Sequence, residues 1–261
     1  MSILVKYDPS GRMGNRMFQY AFGKILALKK NQLFFAEHLP NFTNTFDGDH
    51  SKHTPPDYTF INPLHTRQKY GNHYVNMNEL IHYQNDIIID SFLQKYYYYI
   101  DHKYDIKQWF NLNITNNIIP KPNELVIHIR EGDYNLLKTA IPYEYYIKTI
   151  KTLGFKTNTI ITDECTSPTI QHLKNEGCQI LSTKIVESFR TTCNNFEILD
   201  FYYMLKAKHL LISHSTFSWW AAFLGEQEHI FYPDVDNSMW KKQPNQDDID
   251  LFIPNSNYIK I

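Results

Sequence analysis

Three short segments carry most of the chemistry-bearing side chains: His128-Ile129-Arg130-Glu131-Gly132-Asp133, Thr162-Asp163, and Ser213-His214-Ser215-Thr216-Phe217-Ser218. Each follows a compact apolar run, so each is expected where a buried strand ends. In an open parallel sheet ligands lie beyond the carboxyl ends of the strands. A guanidinium, several carboxylates and a hydroxyl cluster would therefore share one rim. Arg130 cannot shed its charge and needs an anion. A diphosphate would satisfy it bidentately, and so would a salt bridge to Asp133 or Asp163. The apolar stretch from Phe217 to Leu224, closed by Gly225, reads as a helix. Ser215, Thr216 and Ser218 stand at its start, where N–H groups, hydroxyls and the helix dipole suit a phosphate, and where a serine can equally serve as a cap. His128 alternates with Arg130 on one strand face, which suits either a ligand contact or a satisfied core histidine.

Gly11-Arg12-Met13-Gly14-Asn15 forms a second candidate. Only 9 glycines occur in the chain, and two of them fall in this strand-to-helix turn, as expected if backbone must approach a ligand or simply turn tightly. The dinucleotide fingerprint, the P-loop, the HExxH zinc motif and the GxSxG elbow are all missing from the sequence. Asp47-Gly48-Asp49 and Asp234-Val235-Asp236 have the DxD form that can hold a divalent cation, although so short a match arises readily by chance and solvated loops explain it as well. Cys165, Cys178 and Cys193 lack CxxC spacing, so neither a disulfide framework nor a cysteine zinc site is expected and a reducing compartment fits. The glycosylation sequons at Asn41 and Asn113 are attributed to an asparagine-rich composition.

These side chains need a scaffold. Ile3 to Tyr7, Gln32 to Ala36 and Asp86 to Asp90 read as strands, and the helical recurrence of Phe18, Tyr20, Ala21, Ile25, Leu26 and Leu28 predicts a helix after the first. Residues 38 to 80 show little periodicity and read as loops with short helices. From Glu124 on, the runs ELVIHIR, NTIITD, CQIL, KHLLIS and HIFYP alternate with segments suited to helices, such as Pro142 to Leu153 and Phe196 to Ala207. That alternation implies an α/β fold with a parallel sheet. A boundary near Lys121-Pro122-Asn123 divides the chain into domains at 1–121 and 122–261.

The 261 residues, 43% hydrophobic and 20% charged, can fill a core, which excludes wholesale disorder. A net charge of -1, from 26 basic and 27 acidic residues, gives no global field for nucleic acid, so an anionic ligand must be held locally and any peripheral membrane association would depend on local features. The opening MSILVKYDPSGRMGN lacks the pattern of a signal peptide, and no aliphatic run approaches the roughly 20 residues of a membrane span. A cytoplasmic location is the expectation. The oligomeric state is not legible.

GRMGNRMFQYAFG (residues 11–23), SFLQKYYYY (91–99), HIREGDY (128–134), DFYYMLKAKHLLISHSTFSWWAAFLG (200–225) and the later Pro233 and Trp240 resemble, in order, the motif series of the α-1,2-fucosyltransferases. The resemblance implies a GT-B fold of two Rossmann-like domains facing a cleft, the first on the acceptor side and the second binding the donor. It further implies metal-independent, inverting transfer of L-fucose from GDP-β-L-fucose to the 2-hydroxyl of a glycan acceptor, commonly a galactose, with no cofactor. Arg130 would then bind the diphosphate, supported by Ser215, Thr216 and Ser218. Gly14 and Asn15 would approach the donor, and His128 and Asp163 would read guanine. Asp133 is the candidate base, or a structural partner of Arg130. Where the family usually has a second arginine this chain has Glu131, and where it usually has asparagine this chain has His214. Both departures bear on donor identity, and another 6-deoxysugar is conceivable. Strand alternation should turn Glu131 away from the nucleotide, toward a lysine or a neighbouring helix. The competing readings are a DxD-type, metal-dependent glycosyltransferase and a carbohydrate-binding module using the 15% aromatic content.

Overall fold

Continuous β-branched and aliphatic runs such as Leu125-Val126-Ile127 cannot stand half in water, and they form the interiors of two all-parallel sheets, as expected when both faces of a sheet are covered. The computed structural model describes residues 1–39, 42, 59–112, 114, 119–136, 139–181, 196–234, 249–254 and 257–261. Asp47, Gly48, Asp49, Val235, Asp236, both sequon asparagines, Cys193 and Trp240 lie outside the described residues.

The first unit comprises Met1–Asn113 and Trp240–Phe252. Its elements are β1 (Ser2–Val5), α1 (Met13–Lys30), β2 (Leu33–Phe35), β3 (Leu64–His65), α2 (Thr66–Tyr70), α3 (Met77–His82), β4 (Ile87–Ile89) and α4 (Lys103–Trp109). The strands lie in the order β2-β1-β4-β3. Helix α1 is buried from Met17 to Ala27, and a left-handed Asn31 stops it. Its last lysine, Lys30, gives its ammonium to the carbonyls of Leu80, Ile81 and Tyr83 at 3.0, 2.8 and 2.7 Å, capping the end of α3. Of the Tyr96–Tyr99 run, the second pair belongs to the core while Tyr97 is exposed. Tyr98 and Tyr99 are buried, with hydroxyls donating to the carbonyls of Val75 at 3.0 Å and Leu93 at 2.8 Å.

The second unit, Ile114–Met239 with Ile253–Ile261, contains β5 (Glu124–Ile129), α5 (Gly132–Leu136), α6 (Tyr143–Leu153), β6 (Thr157–Thr162), α7 (Pro168–Asn175), β7 (Gln179–Ile180), α8 (Phe196–Lys206), β8 (His209–Leu211), α9 (Thr216–Leu224), β9 (His229–Tyr232) and β10 (Tyr258–Lys260). The strand order is β10-β9-β8-β5-β6-β7. All six residues of β5 are buried. Helix α9 is buried from Ser218 to Leu224, where Trp219 stacks on Phe223 at 4.8 Å. Strand β10 carries no sequence signal strong enough to announce it, being three residues long and mostly exposed.

The division of the chain falls at Asn113, and the segment Trp240–Phe252 returns to the first unit, whereas the sequence suggested a single boundary at 121. Backbone pairing explains the return: Tyr96 N–H donates to the Asp250 carbonyl at 2.7 Å, and Asp250 N–H to that of Gln94 at 2.9 Å. Main-chain bonds of this kind leave no trace in residue type. Among the described residues no helix is long and apolar enough to cross a membrane.

Helix α1 lies close against its sheet at Gly23, where an added Cβ would meet Val5 Cγ2 at 2.5 Å and the Phe34 ring at 3.1 Å. Gly23→Ala is expected to cost about 1–3 kcal/mol through overpacking. Urea unfolding checks this, and an unchanged midpoint would show that the helix can back away freely.

Candidate functional site

The second sheet reverses its strand order beside β5. The chain runs outward through β6 and β7, then crosses to β8 on the other side, which makes the gap between the carboxyl ends of β5 and β8 a topological switch point. Ligands of open α/β sheets bind at such crevices. Arg130 leaves β5 there, and Ser213 to Thr216 lead from β8 into α9.

The Arg130 side chain is 12% exposed, and two carboxylates hold it: Nη2 donates to Asp133 Oδ1 at 2.5 Å and Nη1 to Asp163 Oδ2 at 2.8 Å. The guanidinium lies over the Tyr134 ring, 5.6 Å from its centroid. Asp163 Oδ1 accepts the Glu131 N–H at 3.1 Å, so both oxygens of this carboxylate are engaged within the protein. Gly132 permits that approach, because a Cβ there would stand 2.5 Å from Asp163 Oδ2. The salt-bridge alternative for Arg130 is therefore realised twice.

His128 is buried, and its Nδ1 pairs with Ser213 Oγ at 2.7 Å. The Phe217 ring lies beside it. Burial, and then the charge of Arg130, pushes the His128 imidazole down to about 3, so it is neutral at physiological pH. Ser215 caps α9 with an extended backbone, its Oγ accepting the Phe217 N–H at 3.3 Å, and Thr216 opens the helix. Ser218, expected among the ligand-facing hydroxyls, is fully buried, and its Oγ donates to the Ser215 carbonyl at 3.2 Å. Two residues beyond Thr216, about 200° of helical rotation turns it from the rim into the core. Tyr134, which sequence reasoning passed over, donates its hydroxyl to the His214 carbonyl at 2.8 Å and joins the two sides of the switch point. His214 is buried, with the Thr139 backbone beside its ring, and neither ring nitrogen makes a hydrogen bond of good geometry.

Glu131 projects away from Arg130. It is buried, and Ser167 Oγ donates to its Oε2. Ser167 is the N-cap of α7, accepting the Ile170 N–H at 3.2 Å. The carboxylate thus sits at the positive end of a helix, which stabilises it.

The other candidates lie in the first unit. Gly14 and Asn15 are in the first turn of α1 rather than in the loop before it, and Gln94 Nε2 donates to Asn15 Oδ1 at 2.9 Å. The first sheet has its own switch point between β1 and β4, occupied by residues the sequence did not single out. Asp8 takes Arg67 Nη1 at 2.8 Å, and Asp90 accepts the Arg67 N–H at 2.8 Å and the Thr66 hydroxyl at 3.1 Å. Both aspartates follow recognisable strands, which was an available signal. Arg67 sits in an aperiodic stretch and had none. Asp234 pairs with Lys260 at 2.6 Å.

The profile of glycosyl transferase family 11 matches residues 57–260. An α-1,2-colitosyltransferase of Escherichia coli is 28% identical over 147 residues, 51% of this chain and 50% of that protein, so the match spans about half of the relative's length. The fucosyltransferase NodZ from Bradyrhizobium superposes with a TM-score of 0.56 at 10% identity, covering 88% of this chain and 94% of that one. A mutant FUT1 of Arabidopsis thaliana in complex with GDP gives 0.56 at 12% identity, covering 91% and 72%. At these identities the structural likeness is one of fold, the α/β, GT-B-like architecture with Rossmann-like units that the motifs implied.

Burial also pushes His214 down, to about 4. The unfolded chain returns both rings to about 6.5 and takes up protons that the folded chain refuses. Stability is therefore full above that value and lost as pH falls below it, by up to about 1.4 kcal/mol per pH unit for each ring. His128→Gln keeps a partner for Ser213 and removes one contribution. Between pH 6 and 4.5 its unfolding free energy is expected to fall less steeply than that of the wild type by about 1 kcal/mol per unit. Equal slopes in urea titrations would mean that His128 is not held neutral.

Proposed function

The chain belongs to glycosyl transferase family 11, and from that premise we propose that it transfers L-fucose from GDP-β-L-fucose to the 2-hydroxyl of an acceptor sugar, galactose in the leading reading, with inversion and an α-1,2 linkage. The observation that carries this is Arg130 at the switch point beside the N-terminus of α9. As the glycosidic bond breaks, negative charge grows on the departing diphosphate. Arg130 has five N–H donors, more than its two carboxylates use, and the positive end of α9 stands across the gap. Such preorganised donors typically contribute about 10²–10³ each in rate. The second unit is thus assigned the donor and the first the acceptor side.

Asp163 and Asp133 fix the guanidinium plane in this mechanism. His128 holds Ser213, and through it the approach to Ser215 and Thr216. Asp133 is half exposed and remains the candidate base for the acceptor hydroxyl. Glu131, bonded to Ser167, adds no repulsion directly at the phosphates. Ser215 and Thr216 support the diphosphate through the helix start.

A second reading has one specific support. The Escherichia coli relative is named for colitose transfer, and Glu131 and His214 depart from the usual fucosyltransferase pattern beside the proposed donor rim. Another deoxysugar nucleotide would use the same diphosphate cradle.

A panel of GDP- and UDP-sugars in excess EDTA separates these readings. Transfer from GDP-fucose should persist in chelator, and Arg130→Lys should lose about 10²-fold or more in rate, since a point ammonium cannot make paired contacts, with thermal melting recorded alongside to separate collapse from lost catalysis. Preference for a different deoxysugar would select the second reading. Inactivation by EDTA reversed by manganese would transfer the positive charge to a cation, and near-normal turnover of the lysine variant would reduce Arg130 to a brace.

A further inference from the structure

His209 opens β8 and His229 opens β9, at the strand ends opposite to those that carry Ser213 and Arg130. They are register partners in neighbouring parallel strands and so share one face of the sheet. Their Nδ1 atoms are 3.1 Å apart and their rings lie within 23° of parallel. Two neutral imidazoles presenting the same nitrogen to each other can share only one proton, which commits one ring to each tautomer. Two nitrogens bound to one tetrahedral zinc ion, each at about 2.05 Å, stand about 3.3 Å apart, close to the spacing found. Glu228 is adjacent. Its Oε1 pairs with Lys208 at 2.9 Å, and a carboxylate oxygen with one nitrogen from each histidine forms a set of three ligand atoms all within 4.8 Å of one another. Phe155 packs on the His209 ring at 4.7 Å and Phe231 lies beside His229, while the Pro122 backbone offers the His209 ring an acceptor. Such flanking partners fix the orientation of metal-binding imidazoles.

We propose that His209, Glu228 and His229 bind one divalent transition-metal ion of the zinc class, with water completing the shell, and that the ion clamps β8 to β9. Two imidazoles and a carboxylate suit zinc, whereas magnesium and calcium want oxygen ligands. The clamp is independent of the glycosyl-transfer reading: it lies at the other end of the strands and supplies nothing to the diphosphate.

Zinc chloride titrated by calorimetry into the full chain, freed of metal by dialysis against chelator, is expected to show one ion per chain. Binding should be at least about tenfold weaker in His229→Ala and in His209→Ala. Because either variant could disturb the sheet, the wild type is also labelled with diethyl pyrocarbonate, with and without zinc, and its histidines mapped by mass spectrometry. Zinc should protect His209 and His229 above the other histidines. Undiminished affinity in both variants, no zinc binding, or equal labelling of these two histidines with and without the metal would overturn the proposal.

Discussion

Arg130 carries a charge it cannot lose at the mouth of a strand whose every residue is buried. Its side chain is mostly shielded from water, so the guanidinium needs anionic partners at hand. Much of the local architecture answers that need. Asp163 is brought from β6, Asp133 from α5 and the Tyr134 ring from the next position, and Gly132 gives up its side chain so that Asp163 can approach. The Glu131 N–H takes the remaining Asp163 oxygen and locks the loop to the neighbouring strand. A ligand phosphate would enter a cradle whose guanidinium is already oriented, and orientation in advance is what electrostatic catalysis requires.

The same loop serves a second purpose through simple alternation. Because Arg130 and Glu131 point to opposite sides, one faces the switch point while the other reaches Ser167 at the start of α7. The rim of the switch point is thereby tied to the β6–α7 connection. Across the gap, the His128–Ser213 bond and the Ser215 cap hold the entry to α9, and Tyr134 joins both sides through the His214 carbonyl. The segment from His128 to Tyr134 is thus bonded both to the entry of α9 and to the β6–α7 connection.

Much of this was legible in the chain. Buried parallel strands announce themselves as apolar runs, which is why β5, β6, β8 and β9 match the segments ELVIHIR, NTIITD, KHLLIS and HIFYP. Local chemistry offered a cap as one of two roles for Ser215, and strand alternation turned Glu131 away from Arg130 toward either a lysine or a neighbouring helix, of which the structure shows the helix. What could not be read was tertiary choice. Nothing in Thr162-Asp163 says that both carboxylate oxygens are used internally, and nothing in Ser218 says that it turns inward. Strands β3 and β10 are too short to show a period, and the return of Asp250 to the first unit depends on main-chain bonds that any side chain permits.

The central claim is that the diphosphate is bound between Arg130 and the start of α9. Hydrogen–deuterium exchange of the wild-type chain with and without GDP tests it most directly, because backbone N–H groups at both places would lose access to solvent. The account predicts slower exchange on GDP binding in peptides covering 130–136 and 213–219. Saturating GDP that leaves both segments unchanged while protecting others would contradict it.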